Sequence, residues 1–466
     1  MSAELERAAA ACLFPSFDGT AAADWVLRWI ERGLGGIVLF GQNIEDARQV
    51  AALTDALRAE RSDLLIATDE EGGDVTRLEA RGGSSYPGNW ALGVVDDSAL
   101  TEEVAASIAG ELAAVGVNFD FAPVADVNSN PENPVIGIRS FGSEPTLVSR
   151  QVAAFVKGLQ REGVAACAKH FPGHGDTSQD SHLELPVVSG GVDEALVPFR
   201  AAIAAGVRSI MTAHVLIPEL WGDQATLSRE ILQDLLRQEL GFDGVAITDA
   251  LEMRAISASV GIEGGAVLAL IAGADALCLG ADVGDALVRS VHGSIVSAVK
   301  SGELAEERLQ EAAGRVGELA AWAAEPSKKA THRELGAQAA ERALLVEGDV
   351  SVSEPPLLVE LRPPASIAAG EQLHGLRDVV DASEAVSLSE GDKLPSPNGR
   401  PLVIVVRDAH RHGWEREAVA KLLAAAPGGV VVEVGLPLWR PQQSAFIATF
   451  GSGRANLEAA ANALSG

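Results

Sequence analysis

Short apolar runs recur along the first two thirds of the chain, at 36–40, 64–68, 117–123, 165–171, 209–214, 245–249 and 274–279, and Ala-rich amphipathic stretches of helix length separate them. Runs this short and this continuously apolar fit strands buried on both faces, each followed by a crossover helix. Seven such units before Pro326 predict an α/β fold of the (β/α)8 TIM-like barrel type with one strand missed, and a doubly wound sheet is the alternative. Around 325–329 the periodicity breaks, which sets the expected boundary between a catalytic barrel over 1–330 and a smaller α/β sandwich over 331–466. In the latter, a helix starts near His332, strands are expected at 357–361, 402–407, 430–434 and 445–450, and helices at 415–425 and 454–464. The Ser-, Pro- and Gly-rich segment 387–400 reads as a surface loop.

Several of the barrel runs end in polar residues: Asp69, Lys169-His170, His214 and Asp249. The carboxyl ends of parallel barrel strands share one face, so Asp69, Lys169, His170 and Asp249 are expected to converge there although they are distant in sequence. An ionised carboxylate on a rigid strand end is a candidate nucleophile or electrostatic stabiliser, and equally a loop cap.

Composition narrows the field of partners. The 466 residues carry 36 basic and 65 acidic side chains, a net charge of −29 that repels nucleic acid and anionic membrane surfaces. Cys12, Cys167 and Cys278 sit in apolar sequence, the pattern of buried thiols in a reducing compartment rather than of a disulfide framework. The opening Met-Ser-Ala-Glu-Leu-Glu-Arg has no basic stretch followed by an apolar one, and no run is long enough to span a bilayer, so a cytoplasmic location is expected.

Lys169 to His182 gathers three of the nine histidines with two aspartates and a lysine, and Pro172, Gly173 and Gly175 exclude a regular helix or strand through its middle. His170, His174, Asp176, Asp180 and His182 are of metal-ligand type, but the Pro-Gly between His170 and His174 denies them one helical face. No metal or other cofactor is expected, and a metal-dependent hydrolase is a competing reading. In Asp180-Ser181-His182 an extended backbone puts the two side chains on one side, where the carboxylate can orient the imidazole and raise its pKa, suiting it to proton transfer. The alternative is a structural contact that pins a turn. Gly451-Ser452-Gly453 reads as an ordinary strand-to-helix turn rather than a phosphate cradle.

Four ordered motifs carry a family resemblance. Asp69-Glu70-Glu71-Gly72-Gly73-Asp74-Val75-Thr76-Arg77-Leu78, Asn133-Pro134-Val135-Ile136-Gly137-Ile138-Arg139-Ser140-Phe141-Gly142, the Lys169 to His182 loop and Thr248-Asp249-Ala250-Leu251-Glu252-Met253 resemble the blocks of family 3 glycoside hydrolases in their β-N-acetylglucosaminidase branch. The resemblance implies Asp249 as nucleophile, His182 as acid/base and Asp180 as its partner. It further implies that Asp69, Arg77, Arg139, Lys169 and His170 bind the terminal sugar. Asp74 departs from the family, which often has a basic residue there.

Implied activity is retaining exo-hydrolysis of β-linked N-acetylglucosamine from cell-wall muropeptide or amino-sugar fragments, with a small carbohydrate as partner. A histidine acid is neutral after giving up its proton, which repels phosphate less than a carboxylate would, so a phosphorylase using phosphate as acceptor is the alternative. A catalytically silent sugar-binding barrel is the alternative of another class. The C-terminal domain is expected to be structural or to influence substrate access. Oligomeric state is not encoded in any pattern of the sequence.

Overall fold

Every apolar run of the first part of the chain becomes a strand in the computed structural model, which describes residues 3–179, 185–188, 192–218, 224–324, 331–366, 368–370, 373–442 and 444–466. The first of two compact units comprises Met1–Glu70, Thr101–Ile136 and Ser143–Thr331. Its strands are β1 (Leu13–Pro15), β2 (Gly36–Val38), β3 (Leu65–Thr68), β4 (Phe119–Asp120), β5 (Ala165–Phe171), β6 (Ser209–Thr212), β7 (Val245–Thr248) and β8 (Leu277–Gly280). Strands β2 to β7 pair in parallel in sequence order, and β1 pairs in parallel with β8. The ring closes through an Ile247–Ala276 bridge between β7 and β8, and where Phe14 packs so tightly on Gly36 that a Cβ there would come within 2.3 Å of its ring.

This is the expected barrel, and β1 is the strand the apolar pattern did not announce. It is three residues long, directly follows the Ala-rich helix Ala3–Ala11 and ends in proline, so its apolar signal merges with that of the helix. Alternate strand residues, among them Val38, Leu65, Ala67, Phe119, Ala165, Cys167, Met211, Val245, Ile247, Ala276 and Cys278, pack into one buried cluster. The intervening residues, such as Ile37, Ile66, Ile210 and Leu277, are buried as well, which explains why these strands read as unbroken apolar runs. All three cysteines are buried thiols, and burial pushes those of Cys12 and Cys167 up to about 12.

The second unit comprises Glu71–Leu100, Gly137–Gly142 and His332–Gly466. Two segments that lie within the barrel's stretch of sequence, 71–100 and 137–142, therefore pack with the C-terminal part of the chain. Its strands are β9 (Leu345–Glu347), β10 (Leu357–Leu361), β11 (Glu384–Leu388), β12 (Leu402–Val406), β13 (Val430–Glu433) and β14 (Ala445–Ala448), in the order β11-β10-β12-β13-β14-β9. All pairs are parallel except β14 with β9. Leu357, Val359, Ile404, Val406, Val431 and Phe446 face a core that includes Ala91 of the helix Asn89–Val95. Leu358, Val403, Val405, Val430, Val432 and Ile447 face a second core against Leu457 and Leu464 of the helix Arg454–Ser465. Two covered faces make the expected sandwich. Strands β9 and β11, absent from the sequence reading, are the two edges, and their exposed, polar-interrupted sequences carry little apolar signal. No helix among the described residues is long and apolar enough to cross a membrane.

Candidate active site

In the first unit the polar residues at the strand ends find partners. Lys169, in β5 and almost fully buried, places Nζ 2.6 Å from Oδ1 of Asp69, which follows β3. The next side chain, His170, puts Nδ1 2.7 Å from Oδ2 of the fully buried Asp126. A carboxylate there fixes the proton on Nδ1 and orients the ring. The other oxygen of Asp126 accepts the backbone N–H of His174 at 2.7 Å, so one carboxylate ties both ends of the His170–His174 turn. Gly175 lets this turn lie on the backbone after β4, since a Cβ would fall 1.8 Å from the Val127 carbonyl oxygen. His174 is buried with Nδ1 2.7 Å from Thr177 Oγ1, and burial, opposed by Asp126, lowers its pKa to about 4. Asn133 of the second motif donates to the His174 carbonyl at 2.8 Å and accepts the N–H groups of Val135 and Ile136.

Asp249 follows β7 directly and is half-buried. Its Oδ1 accepts the N–H of Ala250 at 2.7 Å. Asp69 and Asp249 directly follow the parallel strands β3 and β7, so both stand at the carboxyl end of the barrel. His214, after β6, is fully buried, with Nδ1 2.8 Å from Thr226 Oγ1 and Nε2 3.1 Å from the Ala250 carbonyl oxygen, bracing the segment that carries Asp249. At the end of β4, Asp120 accepts the Glu70 N–H at 2.9 Å, and burial pushes its carboxyl well above the usual range.

Arg77 and Arg139 belong to the second unit. Arg139 forks onto Glu71, with Nε 3.0 Å from Oε2 and Nη2 2.8 Å from Oε1, so two of the four motif blocks meet through one buried ion pair. Arg77 donates from Nη2 to the Ala368 carbonyl at 3.0 Å. Asp74 accepts the N–H of Ser452 at 2.7 Å and pairs with Arg407, which supplies the cation matching the acidic departure at this position.

Asp180 and His182, the expected acid/base pair, lie outside the described residues. Among the described residues no group of three or more His, Cys, Asp or Glu side chains is placed to hold a metal ion. Asp126 is not among the residues expected from the sequence, although Val124-Ala125-Asp126, just beyond the apolar run 117–123, repeats the apolar-run-then-carboxylate pattern of Asp69 and Asp249.

Comparison with known proteins bears on this arrangement. Residues 19–319 match the glycosyl hydrolase family 3 N-terminal domain. The chain is 41% identical over 250 residues to beta-hexosaminidase A of Pseudoalteromonas piscicida, a match covering 48% of this chain and 42% of that one. It is 40% identical over 253 residues to a beta-hexosaminidase of Thiobacillus denitrificans, covering 52% and 70%. A family 3 β-N-acetylglucosaminidase from Paenibacillus sp. str. FPU-7 superposes with a TM-score of 0.87 at 33% identity, over 99% of this chain and 96% of that one. With a family match over most of the chain and a full-length relative of the same barrel-and-sandwich fold, the chain belongs to family 3 of the glycosyl hydrolases.

Proposed function

We propose that the protein is a retaining exo-β-N-acetylglucosaminidase that acts by double displacement. The observation that carries this reading is the Asp249 carboxylate. It stands half-buried at the carboxyl end of β7, one oxygen held by the Ala250 N–H, at the barrel end that also bears the Lys169–Asp69 pair. A carboxylate on a rigid strand end, oriented by a backbone donor, is suited to attack an anomeric carbon. The names of the relatives, beta-hexosaminidase and β-N-acetylglucosaminidase, support the amino sugar as substrate.

In the first step Asp249 forms a bond to the anomeric carbon as the glycosidic bond breaks, and the imidazolium of His182 gives its proton to the departing oxygen. In the second, neutral His182 takes a proton from water, whose oxygen displaces Asp249 from the sugar. Asp180 orients His182 and favours its protonated form. Asp69, Lys169 and His170 bind the terminal sugar, with Lys169 and Asp69 offering a donor and an acceptor to adjacent hydroxyls. The assignment of Arg77 and Arg139 to sugar binding rests on the motif resemblance. The natural substrates are muropeptide or amino-sugar fragments in the cytoplasm.

An aryl β-N-acetylglucosaminide assayed with and without phosphate tests the reading. Free N-acetylglucosamine as product in both cases is expected; sugar 1-phosphate as the main product with phosphate present overturns hydrolysis. Asp249→Ala should lower kcat/KM by at least about 10³-fold, and undiminished turnover would remove Asp249 from the mechanism. His182→Ala should slow substrates with poor leaving groups far more than activated aryl glycosides, because only the former need protonation. Equal losses would make His182 a binding residue.

A further inference from the structure

The second unit holds a half-open cavity of about 690 Å³ whose wall includes Glu360, Arg362, His374, Arg407, Trp414 and Ser452. Its place in the sheet is informative. The chain leaves β10 for β11 on one side of the sheet, whereas β12 leads to β13 on the other, so the winding reverses between β10 and β12. Glu360, Leu361 and Arg362 stand at the carboxyl end of β10, and Val405 and Arg407 at that of β12. In open parallel sheets, the crevice beyond the carboxyl ends at such a reversal is the recurrent ligand-binding position. The volume falls within the range of about 300–1,000 Å³ common to small-molecule sites.

The wall chemistry selects the class of ligand. Arg362 Nη2 already donates to Glu360 Oε2 at 2.9 Å, and Arg407 is matched by Asp74 while its Nη1 donates to Ser452 Oγ at 3.3 Å. His374 lies 2.7 Å through Nε2 from the Ser452 carbonyl oxygen, and burial lowers its pKa, which keeps the ring neutral near pH 7. Each guanidinium therefore has a carboxylate partner, so an anion gains little here. A neutral ligand with many hydroxyls meets oriented donors and acceptors beside the apolar face of Trp414. From these features we infer that the second unit carries a saccharide-binding site of its own, taking a neutral pyranose against Trp414 with hydroxyls or an acetamido group hydrogen-bonded to Glu360, Arg362 and Ser452. The choice of N-acetylglucosamine as the pyranose rests on the proposed function above.

Amide hydrogen exchange of the full chain with and without saturating N-acetylglucosamine reads this directly. Slowed exchange is expected in segments 357–366, 373–379 and 405–415. Trp414→Ala, which removes the apolar face, should raise the half-saturating concentration for that slowing about tenfold. Because Trp414 also packs on the core, Ser366→Trp is the second variant: it fills the cavity from a partly exposed wall position and leaves the core intact, and it should abolish the slowing. No slowing in these segments of the wild-type chain, slowing that survives both substitutions, or slowing by inorganic phosphate but not by the sugar overturns the site. Turnover of an aryl β-N-acetylglucosaminide by the same preparations tests the hydrolase reading separately. Sugar-dependent slowing without turnover defeats that reading and leaves the second-unit site standing.

Discussion

Lys169 and Asp69, one hundred residues apart, form a pair of 2.6 Å in which the lysine is 2% and the aspartate 16% exposed. A lysine buried this deeply is stable only with its counter-charge, and removing one member leaves the other desolvated. Lys169→Met should therefore cost about 3 kcal/mol of unfolding free energy, the low end for broken buried pairs because Asp69 retains some solvent. Under the proposed function it should also raise KM for N-acetylglucosaminides. Denaturant unfolding and steady-state kinetics on one preparation separate the two effects. An unchanged KM with lost stability would make the pair purely structural.

At the opposite ends of the strands a second charged cluster has a different task. Asp275, fully buried before β8, receives Arg237 and Arg308 at 2.5 Å each and Arg315 at 3.2 Å, and it also accepts the Ala246 N–H at 3.0 Å. Glu311 offsets part of the surplus positive charge through Arg308 and Arg315. Polar networks at the amino-terminal face of a barrel serve stability, while the chemistry sits at the other face. Asp275→Asn should lower stability by about 3–5 kcal/mol with kcat and KM unchanged well below the melting temperature. A changed KM in the folded variant would contradict this division of labour.

How legible these arrangements are in the sequence depends on the range of the interactions that make them. Strands β2 to β8 declare themselves because each is buried on both faces, as the unbroken apolar stretch around Val245–Thr248 shows. Edge strands such as Glu384–Leu388 are half-solvated and do not. Asp249 and Lys169 stand out because a charge ends an apolar run. The partners are harder: Asp126 is linked to His170 across 44 positions, and no local pattern encodes that distance. The packing of 71–100 with the C-terminal segment is likewise a tertiary fact: Ala91 shares one buried cluster with Leu357 and Ile404.

His174 gives the acid limb of stability a specific source. Its pKa is lowered to about 4 in the folded chain by burial, against an ordinary value near 6.5 when unfolded. Between those values the unfolded chain binds a proton that the native one refuses, so stability falls as pH drops from about 6.5 to about 4. Relative to His174→Gln, the wild-type protein should lose roughly 3 kcal/mol across that window. Denaturant titrations at half-unit steps from pH 7 to pH 4 measure the difference, and parallel profiles would show that the imidazole takes up its proton without unfolding.

The alkaline limb should come from the second unit. Glu415, fully buried in the first turn of the helix Gly413–Ala425, accepts the Arg407 N–H on Oε1 at 3.4 Å, and among the described residues its Oε2 meets no hydrogen-bond partner. Burial and then the neighbouring Glu433 raise its pKa to about 9. Glu433 is raised to about 8 by burial and Asp408, against the N–H groups of Asp408, Ala409 and Gly435 that its carboxyl accepts. A folded-state pKa above the unfolded value means that the native chain holds the extra proton. The stability this confers is complete below the ordinary carboxyl value of about 4.3 and is lost as pH rises through about 9. Glutamine has the same shape and cannot ionise. Glu415→Gln should match the wild-type protein within about 1 kcal/mol at pH 5. It should then gain on it by at most about 1.4 kcal/mol per pH unit as the pH rises from 5 towards 9. Melting temperatures of the two proteins from pH 5 to pH 9 test this, and curves that stay parallel would mean that the buried carboxyl ionises at its ordinary value.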